Sequence, residues 1–421
     1  MSSAPSGTGT RLDRVGKPLR QAAWFGLPLL VGGTIVRSHP QVLFLVGFLV
    51  AGLWLAAATV AARRSGWDGV FLVLAAIMFS LAGGEAFIGL LAHHGPVLGD
   101  VNRRALNLRE TIAGVYDPDL GFRPRPDQRA TATASFQGRT EFAIAYTIGP
   151  DGLRVMPAVP DAPCHAVFFG DSFAFGYGLE DGQAMPYQFV TASAGRYAAV
   201  NFAYNGYGPH QMLRALEIGR VDQVARGPVQ LVVYEGIVNH LARVTGHQVW
   251  DPFGPAYVVA QDGQARYAGP FHGRLYARII SFLDTRSETF HYLDWRFLAP
   301  DRPDAADLAT YIAILKQARQ EVERRYGAAF VVLFWNTDSD SFSIFHDGAL
   351  AAATMQQLID AGFDVVPITR IIPDIDTNRS AYALSALDLH PNAAADQRIG
   401  AYLAREAGPR FCPRPSEPGI R

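Results

Sequence analysis

Three long apolar stretches stand near the start of the chain, over residues 22–36, 42–62 and 70–92. A transmembrane helix takes about 20 predominantly apolar residues. The second and third stretches reach that length, whereas the first is shorter and contains Pro28, so it spans a bilayer only with the help of flanking residues. We therefore predict three N-terminal transmembrane helices.

The membrane region covers residues 22–92 and follows a lead over residues 1–21 that lacks periodicity and that we expect to be disordered. Positive charges mark the cytoplasmic side of a membrane. Four lie between residues 11 and 20, and Arg63 and Arg64 separate the second and third stretches. This pattern predicts a cytoplasmic N-terminus and places everything after Ala92 outside the cytoplasm. In a bacterial inner membrane, the location we expect, that side is the periplasm.

One acidic residue, Glu85, interrupts the third stretch beside Gly83 and Gly84. A carboxylate at membrane depth costs about 3 kcal/mol on insertion scales, so it usually faces a partner or water. Glu85 therefore either contacts a membrane partner protein or lies near the interface and reaches water.

The remainder of the chain divides into a connector, an α/β part with an insertion, and a tail. Residues 93–163 form a connector, either a small β-rich extension, indicated by alternation in Phe142–Ile148, or a folded linker that spaces the next domain from the bilayer. Over residues 164–408, apolar strands alternate with helical patterns, which predicts a parallel sheet with helices on both faces. An insertion over residues 243–303 lacks this periodicity and is rich in aromatic residues. It forms a binding wall or a small satellite core, and the proline-rich tail 409–421 is predicted to be irregular.

Composition narrows the function classes. Charged residues are 18% of the chain and the formal net charge is −1. Without a Lys/Arg tract in the later part of the chain, we expect no nucleic-acid partner. His93 and His94 are adjacent, so they would not share a helix face, and the other histidines are scattered. We predict no metal site.

The stretch AVFFGDSFAFGYG, over residues 166–178, is the clearest chemical signal. An apolar strand runs into a tight turn that places Ser172 at the carboxyl end of the strand, the edge where open α/β sheets bind ligands. Serine nucleophiles of several hydrolases stand on such turns. The alternative is that Asp171 or Ser172 merely caps the next helix.

Three later stretches accompany it: VNFAYNGYGPHQ over residues 200–211, LVVYEGIVNH over 231–240 and LDLHPN over 387–392. In order and spacing, the four resemble the blocks of the SGNH, or GDSL-type, hydrolase superfamily of esterases, lipases, carbohydrate deacetylases and some acyltransferases. The resemblance implies a flavodoxin-like three-layer α/β/α fold and no cofactor. YDPDLGFRPRPD and AYTIGPDGLRVMP in the connector resemble a lead-in of membrane-anchored SGNH domains of polysaccharide loci.

Carried over to this sequence, the resemblance makes Ser172 the nucleophile and His390 the general base, oriented by Asp388. The backbone N–H groups of Ser172 and Gly206 and the side-chain amide of Asn239 would form the oxyanion hole. A serine hydroxyl needs an imidazole to take its proton, and a carboxylate fixes the tautomer of that imidazole.

Some positions depart from the family pattern. Two residues, Ile237 and Val238, separate the glycine of the third block from Asn239, where one is usual in the family. His240 stands where an aspartate is common, as a local variant or a second polar group lining the site. One residue, Leu389, separates acid and base where many members have two. LDLHPN could also be a helix N-terminus with His390 at the surface.

The chain has two cysteines, Cys164 and Cys412. A disulfide between them would tie the tail to the nucleophile strand, and disulfides persist in oxidising compartments. The alternative is two free thiols.

Together these features predict a membrane-anchored serine esterase that removes O-acetyl or other short acyl groups from a glycan through an acyl-enzyme. The alternatives are an O-acyltransferase that modifies an exported polysaccharide and a non-catalytic glycan-binding scaffold. The expected partners are an acylated glycan or other ester, the lipid bilayer and a membrane protein at Glu85.

Overall fold

The structure, a computed structural model, forms two compact units, one of Met1–Leu98 with Ile279–Leu298 and the other of Gly99–Arg278 with Ala299–Arg421. It describes residues 27–37, 42–63, 66–94, 107–246, 248, 250–273, 275, 279, 282–283, 286–287, 289–290, 303–337 and 348–412. The predicted lead 1–21 lies outside the described residues, as does the tail from residue 413.

The first unit contains helices α1 (Leu27–Arg37), α2 (Leu43–Ala61) and α3 (Asp68–His94). Of the described residues, two segments are long and apolar enough to cross a membrane, Leu43–Ala61 and Asp68–Leu90. These two helices pack along each other. Helix α1 is shorter, and the residues that would lengthen it towards residue 22 lie outside the described ranges. The structure therefore supports two of the three predicted spans.

The connector folds into two small antiparallel sheets. Strands β1, β4 and β5 pair in the order β1-β4-β5, and β2 pairs with β3. Their bounds are Asn107–Glu110 (β1), Gly114–Asp117 (β2), Gly121–Pro124 (β3), Gln128–Phe136 (β4) and Arg139–Ile148 (β5). Alternate residues of β4 are buried, which is the pattern of a strand with one face on a core.

A five-stranded parallel sheet follows, with the strand order β12-β11-β8-β6-β7. Counted along the chain, this is the flavodoxin-like order 2-1-3-4-5, whose switch point lies between β6 and β8. The strands are β6 (Cys164–Phe169), β7 (Tyr197–Asn201), β8 (Val229–Gly236), β11 (Ala329–Phe334) and β12 (Asp364–Pro367). The parallel sheet predicted from the sequence is confirmed.

The sheet is buried on both faces, as β6 shows. Ala166 and Phe168 belong to one buried cluster and Val167 and Phe169 to another. Helices α5 (Met185–Ala192) and α12 (Ala393–Phe411) contribute to the first cluster, and α6 (Pro209–Glu217), α9 (Ala305–Tyr326) and α10 (Gly348–Asp360) to the second. The result is a three-layer α/β/α domain. Its shorter helices are α4 (Ser172–Phe175), α7 (Arg220–Val224), α8 (His240–Arg243) and α11 (Ile368–Ile371).

Two parts of the chain differ from their sequence patterns. Within the insertion 243–303, strands β9 (Pro255–Val259) and β10 (Ala265–Pro270) form an antiparallel hairpin that the loss of periodicity did not indicate. The tail is not irregular from its first residue, because α12 continues to Phe411. Arg410 pairs with Asp364 at 2.6 Å, and Cys412, directly after the helix, forms a disulfide with Cys164.

The connector also reaches into the α/β domain through Arg154, which is 3% exposed. Its guanidinium donates to the carbonyls of Phe175, Gly176 and Leu179 at 2.6–2.7 Å and to Asp181 at 3.0 Å. These carbonyls lie at the end of α4 and just beyond it. Arg154 therefore fixes the loop behind Ser172, which is more than a spacer would do.

Candidate active site

The nucleophile candidate stands on a turn that requires glycine. Strand β6 ends at Phe169, and Gly170 adopts φ +153. A Cβ at Gly170 would lie 2.6 Å from Oε2 of Glu235, so a larger residue does not fit. Asp171 caps α4 by accepting a hydrogen bond from the N–H of Phe173 at 2.9 Å. Ser172 is the first helical residue, so it is held at the carboxyl edge of the central strand.

The structure brings the hydroxyl, imidazole and carboxylate of Ser172, His390 and Asp388 together. Oγ of Ser172 lies 2.8 Å from Nε2 of His390, and Nδ1 of His390 lies 2.6 Å from Oδ1 of Asp388. With Nδ1–H donating to the carboxylate, Nε2 is free to accept the serine proton. Asp388 is 3% exposed, and Ser172 and His390 are half-buried. His390 is thus not a surface residue of a helix N-terminus.

Aromatic rings hold the imidazole in place. The ring centroid of His390 lies 4.5 Å from that of Tyr177 and 5.2 Å from that of Phe173. Behind His390, Oδ1 of Asn392 accepts hydrogen bonds from the N–H groups of Ala394 and Ala395 and so caps α12. The imidazole of His390 therefore lies between packed aromatic rings and the capped start of α12.

The three predicted oxyanion donors follow three neighbouring strands. Ser172 follows β6, Gly206 follows β7 and Asn239 follows β8, and β6 lies between the other two. The carboxyl ends of parallel strands share one edge of the sheet, so these turns flank the nucleophile. Gly206 has φ +82, a conformation that suits glycine. Asn239 is half-buried and directly precedes α8.

One residue that the sequence analysis missed, Arg243, links two of these turns. Its Nη1 donates to Oδ2 of Asp171 at 2.7 Å and also to the carbonyl of Tyr207. The nearby guanidinium, with hydrogen bonds from His240 and the N–H of Phe173, outweighs burial and holds the pKa of Asp171 well below its usual range. Asp171 is therefore an ionised, fully buried carboxylate.

His240 lies beneath the site and does not line it, because its side chain is fully buried. The hydroxyl of Tyr234 lies 2.6 Å from Nδ1 of His240, and Nε2 lies 3.3 Å from Oδ2 of Asp171. Burial, with Arg243 second, lowers the pKa of His240 to about 4. A neutral imidazole that accepts from Tyr234 carries its proton on Nε2, facing Asp171.

Glu235 completes this buried group. It is 0% exposed, and its Oε2 accepts a hydrogen bond from the N–H of Asp171 at 3.2 Å. Burial, reinforced by the negative charge of Asp171, raises the pKa of Glu235 well above its ordinary value. Burial and the neighbouring Asp171 thus both favour the neutral form of Glu235.

Ligand atoms of Asp171, Glu235 and His240 lie within 4.8 Å of one another, close enough for a metal ion. Arg243 already supplies a positive charge to Asp171, and burial favours the protonated form of Glu235. The group therefore fits a proton-sharing network better than a cation site.

Trp250, from the insertion, lies against the Gly206 turn. Its indole N–H donates to the carbonyl of Gly206 at 3.2 Å, and the side chain is 48% exposed. A Cβ at Gly206 would lie 2.7 Å from that indole nitrogen. Tyr257, by contrast, is 6% exposed and packs near Tyr267. The aromatic residues of the insertion thus include both a satellite core and one ring open to solvent beside the site. Tyr276, Tyr292 and Trp295 lie outside the described residues.

Little in the sequence predicts the buried network of Asp171, Glu235, His240 and Arg243 next to Ser172. Arg243 and His240 lie about 70 residues after Asp171 and meet it only through the fold. The one available hint was a histidine in place of the common aspartate after Asn239. Trp250 was visible only as one of eleven aromatic residues in the insertion.

No protein family model matches the chain, and no curated protein matches it. Solved structures do match. A member of the lipolytic protein G-D-S-L family from Veillonella parvula DSM 2008 is 13% identical with a TM-score of 0.33, covering 58% of this chain and 97% of that chain. A carbohydrate acetylesterase family member from Sinorhizobium meliloti is 9% identical with a TM-score of 0.32, covering 58% and 96%.

A carbohydrate esterase family 2 enzyme with a carbohydrate-binding domain, from Corynascus thermopiles (Myceliophthora fergusii), is 15% identical with a TM-score of 0.35. That match covers 73% of this chain and 86% of that chain. Similarity at this level is too low to assign a function to the site.

Proposed function

We propose that this protein is a membrane-anchored serine ester hydrolase of the SGNH type. The observation that carries the proposal is the continuous hydrogen-bonded path from Ser172 Oγ through His390 to Asp388, with links of 2.8 and 2.6 Å. A serine hydroxyl, an imidazole in the correct tautomer and a buried carboxylate are the groups that acyl transfer through a serine requires.

The proposed reaction proceeds in two halves. Oγ of Ser172 attacks the carbonyl carbon of the ester while Nε2 of His390 takes the hydroxyl proton, and Asp388 stabilises the resulting imidazolium. The tetrahedral intermediate collapses, the alcohol leaves with the proton from Nε2, and an acyl-enzyme remains. Water then attacks the acyl carbon and gives its proton to Nε2. Collapse releases the carboxylic acid and returns the proton to Ser172.

The developing oxyanion needs donors fixed before the reaction. The N–H of Ser172, the N–H of Gly206 and the amide of Asn239 are the candidates, since all three stand in turns at the same sheet edge. Each such donor typically contributes about 3–4 kcal/mol to lowering the barrier. The link through Arg243 supports the role of the Gly206 turn, because it ties that turn to the nucleophile turn.

For the substrate, we propose an O-acetyl or other short acyl ester of a glycan. Trp250 supports a sugar-bearing substrate, because its half-exposed ring lies beside Gly206 and is oriented by the hydrogen bond to the Gly206 carbonyl. A fixed aromatic face of this kind can stack on the apolar face of a pyranose ring. The rings of Phe173 and Tyr177 around His390 favour a small acyl group.

The proposed location is outside the cytoplasm of a bacterium, with α2 and α3 in the inner membrane. Arg63, in the turn between these helices, would lie on the cytoplasmic side. The disulfide between Cys164 and Cys412 supports an oxidising compartment such as the periplasm.

The test compares the purified full chain with its Ser172→Ala variant on a chromogenic acetyl ester. We expect turnover that Ser172→Ala abolishes and that falls on acidification, because a protonated His390 cannot accept the serine proton. The matched control is Thr191→Ala, which removes an exposed hydroxyl near the start of β7, at the opposite edge of the sheet. Equal turnover by Ser172→Ala and the parent protein would contradict the proposal. Adding an acetylated glycan acceptor to the same assay distinguishes hydrolysis from acyl transfer.

A further inference from the structure

Glu85 is a buried carboxylate inside an apolar helix. Its side chain is 6% exposed, and it lies in α3 five residues before Leu90, where the apolar segment ends. At 1.5 Å per residue, five residues correspond to about 7–8 Å along the helix axis. If α3 spans a bilayer, Glu85 lies below the surface of the hydrocarbon layer, where an unsatisfied carboxylate is costly.

The hydrogen bonds to Glu85 come from the insertion of the same chain. Oγ of Ser287 donates to Oε1 of Glu85, and the N–H of Thr289 donates to Oε2 at 3.3 Å. The N–H of Phe290 in turn donates to Oγ of Ser287 at 2.9 Å. Residues some 200 positions away in the sequence therefore satisfy the carboxylate within the first compact unit.

A second contact places the insertion at one end of the helix pair. The ring of Phe282 lies 6.2 Å from that of Phe44, the second residue of α2. Helix α3 begins seven residues after α2 ends, and Gly52 of α2 packs against the ring of Phe79 in α3. The two helices are therefore antiparallel, and the start of α2 and the end of α3 lie at the same end of the pair. Both contacts of the insertion are therefore at the end where α3 leaves the membrane.

The same segment exposes apolar side chains beside positive charge. Ile279 is 49% exposed and Phe282 is 45% exposed. The guanidinium of Arg286 lies 4.7 Å from the ring centroid of Phe282. In the sequence, Arg274 and Arg278 come shortly before these residues. Apolar side chains interleaved with arginine are typical of segments that lie in the interface of an anionic bilayer.

We propose that the interfacial segment inserts into the lipid interface at the end of α3 and is held there by Glu85. This segment consists of the described residues Ile279, Phe282, Leu283, Arg286, Ser287, Thr289 and Phe290. Lipid covers the exposed faces of Ile279 and Phe282, and the insertion of the α/β domain thereby returns to the membrane. The inference rests on the proposed membrane anchoring. It needs no partner protein at Glu85, because Ser287 and Thr289 already bind the carboxylate.

The experiment determines whether a fluorescent label at position 279 lies in lipid or in water. Both cysteines of the chain are in the disulfide, so an introduced cysteine is the one free thiol. Ile279→Cys is labelled with an environment-sensitive fluorophore in the full chain, reconstituted alone into vesicles of phosphatidylethanolamine and phosphatidylglycerol. Quenching by a nitroxide lipid is compared with quenching by aqueous iodide. The controls are Leu53→Cys in α2, 54% exposed, and Val258→Cys in β9, 56% exposed.

We expect the nitroxide lipid to quench the label in Ile279→Cys and in Leu53→Cys, and iodide to quench it in Val258→Cys. Quenching of Ile279→Cys by iodide alone, with Leu53→Cys still quenched by lipid, overturns the interfacial segment and leaves the anchoring intact. Loss of lipid quenching in Leu53→Cys as well overturns the anchoring itself. A label in Ile279→Cys that neither quencher reaches in native membranes assigns the surface to a partner protein and also overturns the proposal.

The role of Glu85 is tested in the labelled Ile279→Cys background. Glu85→Gln keeps a carbonyl oxygen that accepts from Ser287, so lipid quenching is retained. Glu85→Ala removes the acceptor, so lipid quenching is lost at Ile279→Cys and kept in the Leu53→Cys background. If Glu85→Ala does not yield a folded protein, Ser287→Ala gives the same loss through the same hydrogen bond. Unchanged quenching in Ser287→Ala overturns the holding role of Glu85.

Discussion

Nη1 of Arg243 lies 2.7 Å from Oδ2 of Asp171, the residue directly before the nucleophile candidate. The same nitrogen donates to the carbonyl of Tyr207, the residue directly after Gly206. One guanidinium therefore sets the spacing between the turn that carries the hydroxyl and the turn that carries a proposed oxyanion donor.

Replacing Arg243 with methionine is expected to lower kcat by about 10²-fold, because small displacements of reacting groups cost about that much. It also leaves the buried carboxylate of Asp171 without its cation, which is expected to cost about 3–5 kcal/mol of stability. Ester turnover and urea unfolding measure the two effects. The control is Arg410→Met, whose ion pair with Asp364 is exposed and should be worth at most about 1 kcal/mol.

Asp388→Asn tests the tautomer of His390. An amide in place of the carboxylate can donate to Nδ1, which leaves the proton on Nε2 and removes the acceptor for Ser172. We expect kcat to fall by about 10⁴-fold while the protein stays folded. Steady-state ester hydrolysis and the labelling rate of Ser172 by a fluorophosphonate should fall together. A variant with parental turnover would exclude Asp388 as the orienting acid.

Glu235→Gln should retain activity, because a protonated carboxyl and an amide have similar shapes and both can donate to Asp171. In the parent protein the pKa of Glu235 is raised by burial, so the unfolded chain releases this proton at lower pH than the folded one. Stability therefore decreases as pH rises above the unfolded pKa. The variant lacks this titrating group. Its free energy of unfolding, relative to that of the parent protein, should therefore increase with pH by at most about 1.4 kcal/mol per pH unit. An inactive Glu235→Gln would indicate an ionised carboxylate.

His240→Gln tests a pKa shift in the opposite direction from that of Glu235. The pKa of His240 is lowered by burial from 6.5 to about 4, so between those values the unfolded chain binds a proton that the folded one does not. Stability of the parent should therefore fall as pH decreases through this window, by up to about 3 kcal/mol from this residue. Urea unfolding at several pH values should give a shallower slope for the variant. The slopes matter here, since the variant is also expected to be less stable overall.

Variants of Trp250 distinguish binding of the glycan from cleavage of the ester. Trp250→Ala should raise KM for an acetylated oligosaccharide while changing the turnover of a small chromogenic ester little. Trp250→Phe keeps an aromatic face but loses the indole N–H that donates to Gly206, so its effect on KM should be smaller. Equal KM values for the parent and Trp250→Ala would exclude stacking on this ring.

The sequence could predict the parallel sheet and the positions of its edge residues, because local signals mark them. The apolar run of β6 stops at Gly170, and Pro391 and Asn392 mark the start of α12 just after His390. A strand must be followed by a turn, and a parallel sheet places such turns at one edge. These rules place Ser172 at that edge, whereas its pairing with His390 was predicted from the resemblance to the SGNH hydrolases.

Other features depend on contacts that no local pattern encodes. Residues 210–223 have a helical pattern, but they form two helices, α6 and α7, separated at Gly219, which has φ +71. The pattern around a glycine does not predict its φ. Arg243 and His240 take their roles from Asp171, which lies in another element. Likewise, the partners of Glu85 come from an insertion whose sequence shows no periodicity.

Ser172 and His390 are 218 residues apart in the sequence. Under the proposed export and ester hydrolysis, the hydroxyl would emerge from the membrane long before the imidazole that activates it. A partly translocated chain would then carry an inert serine, and ester cleavage would begin only after nearly the whole domain has crossed.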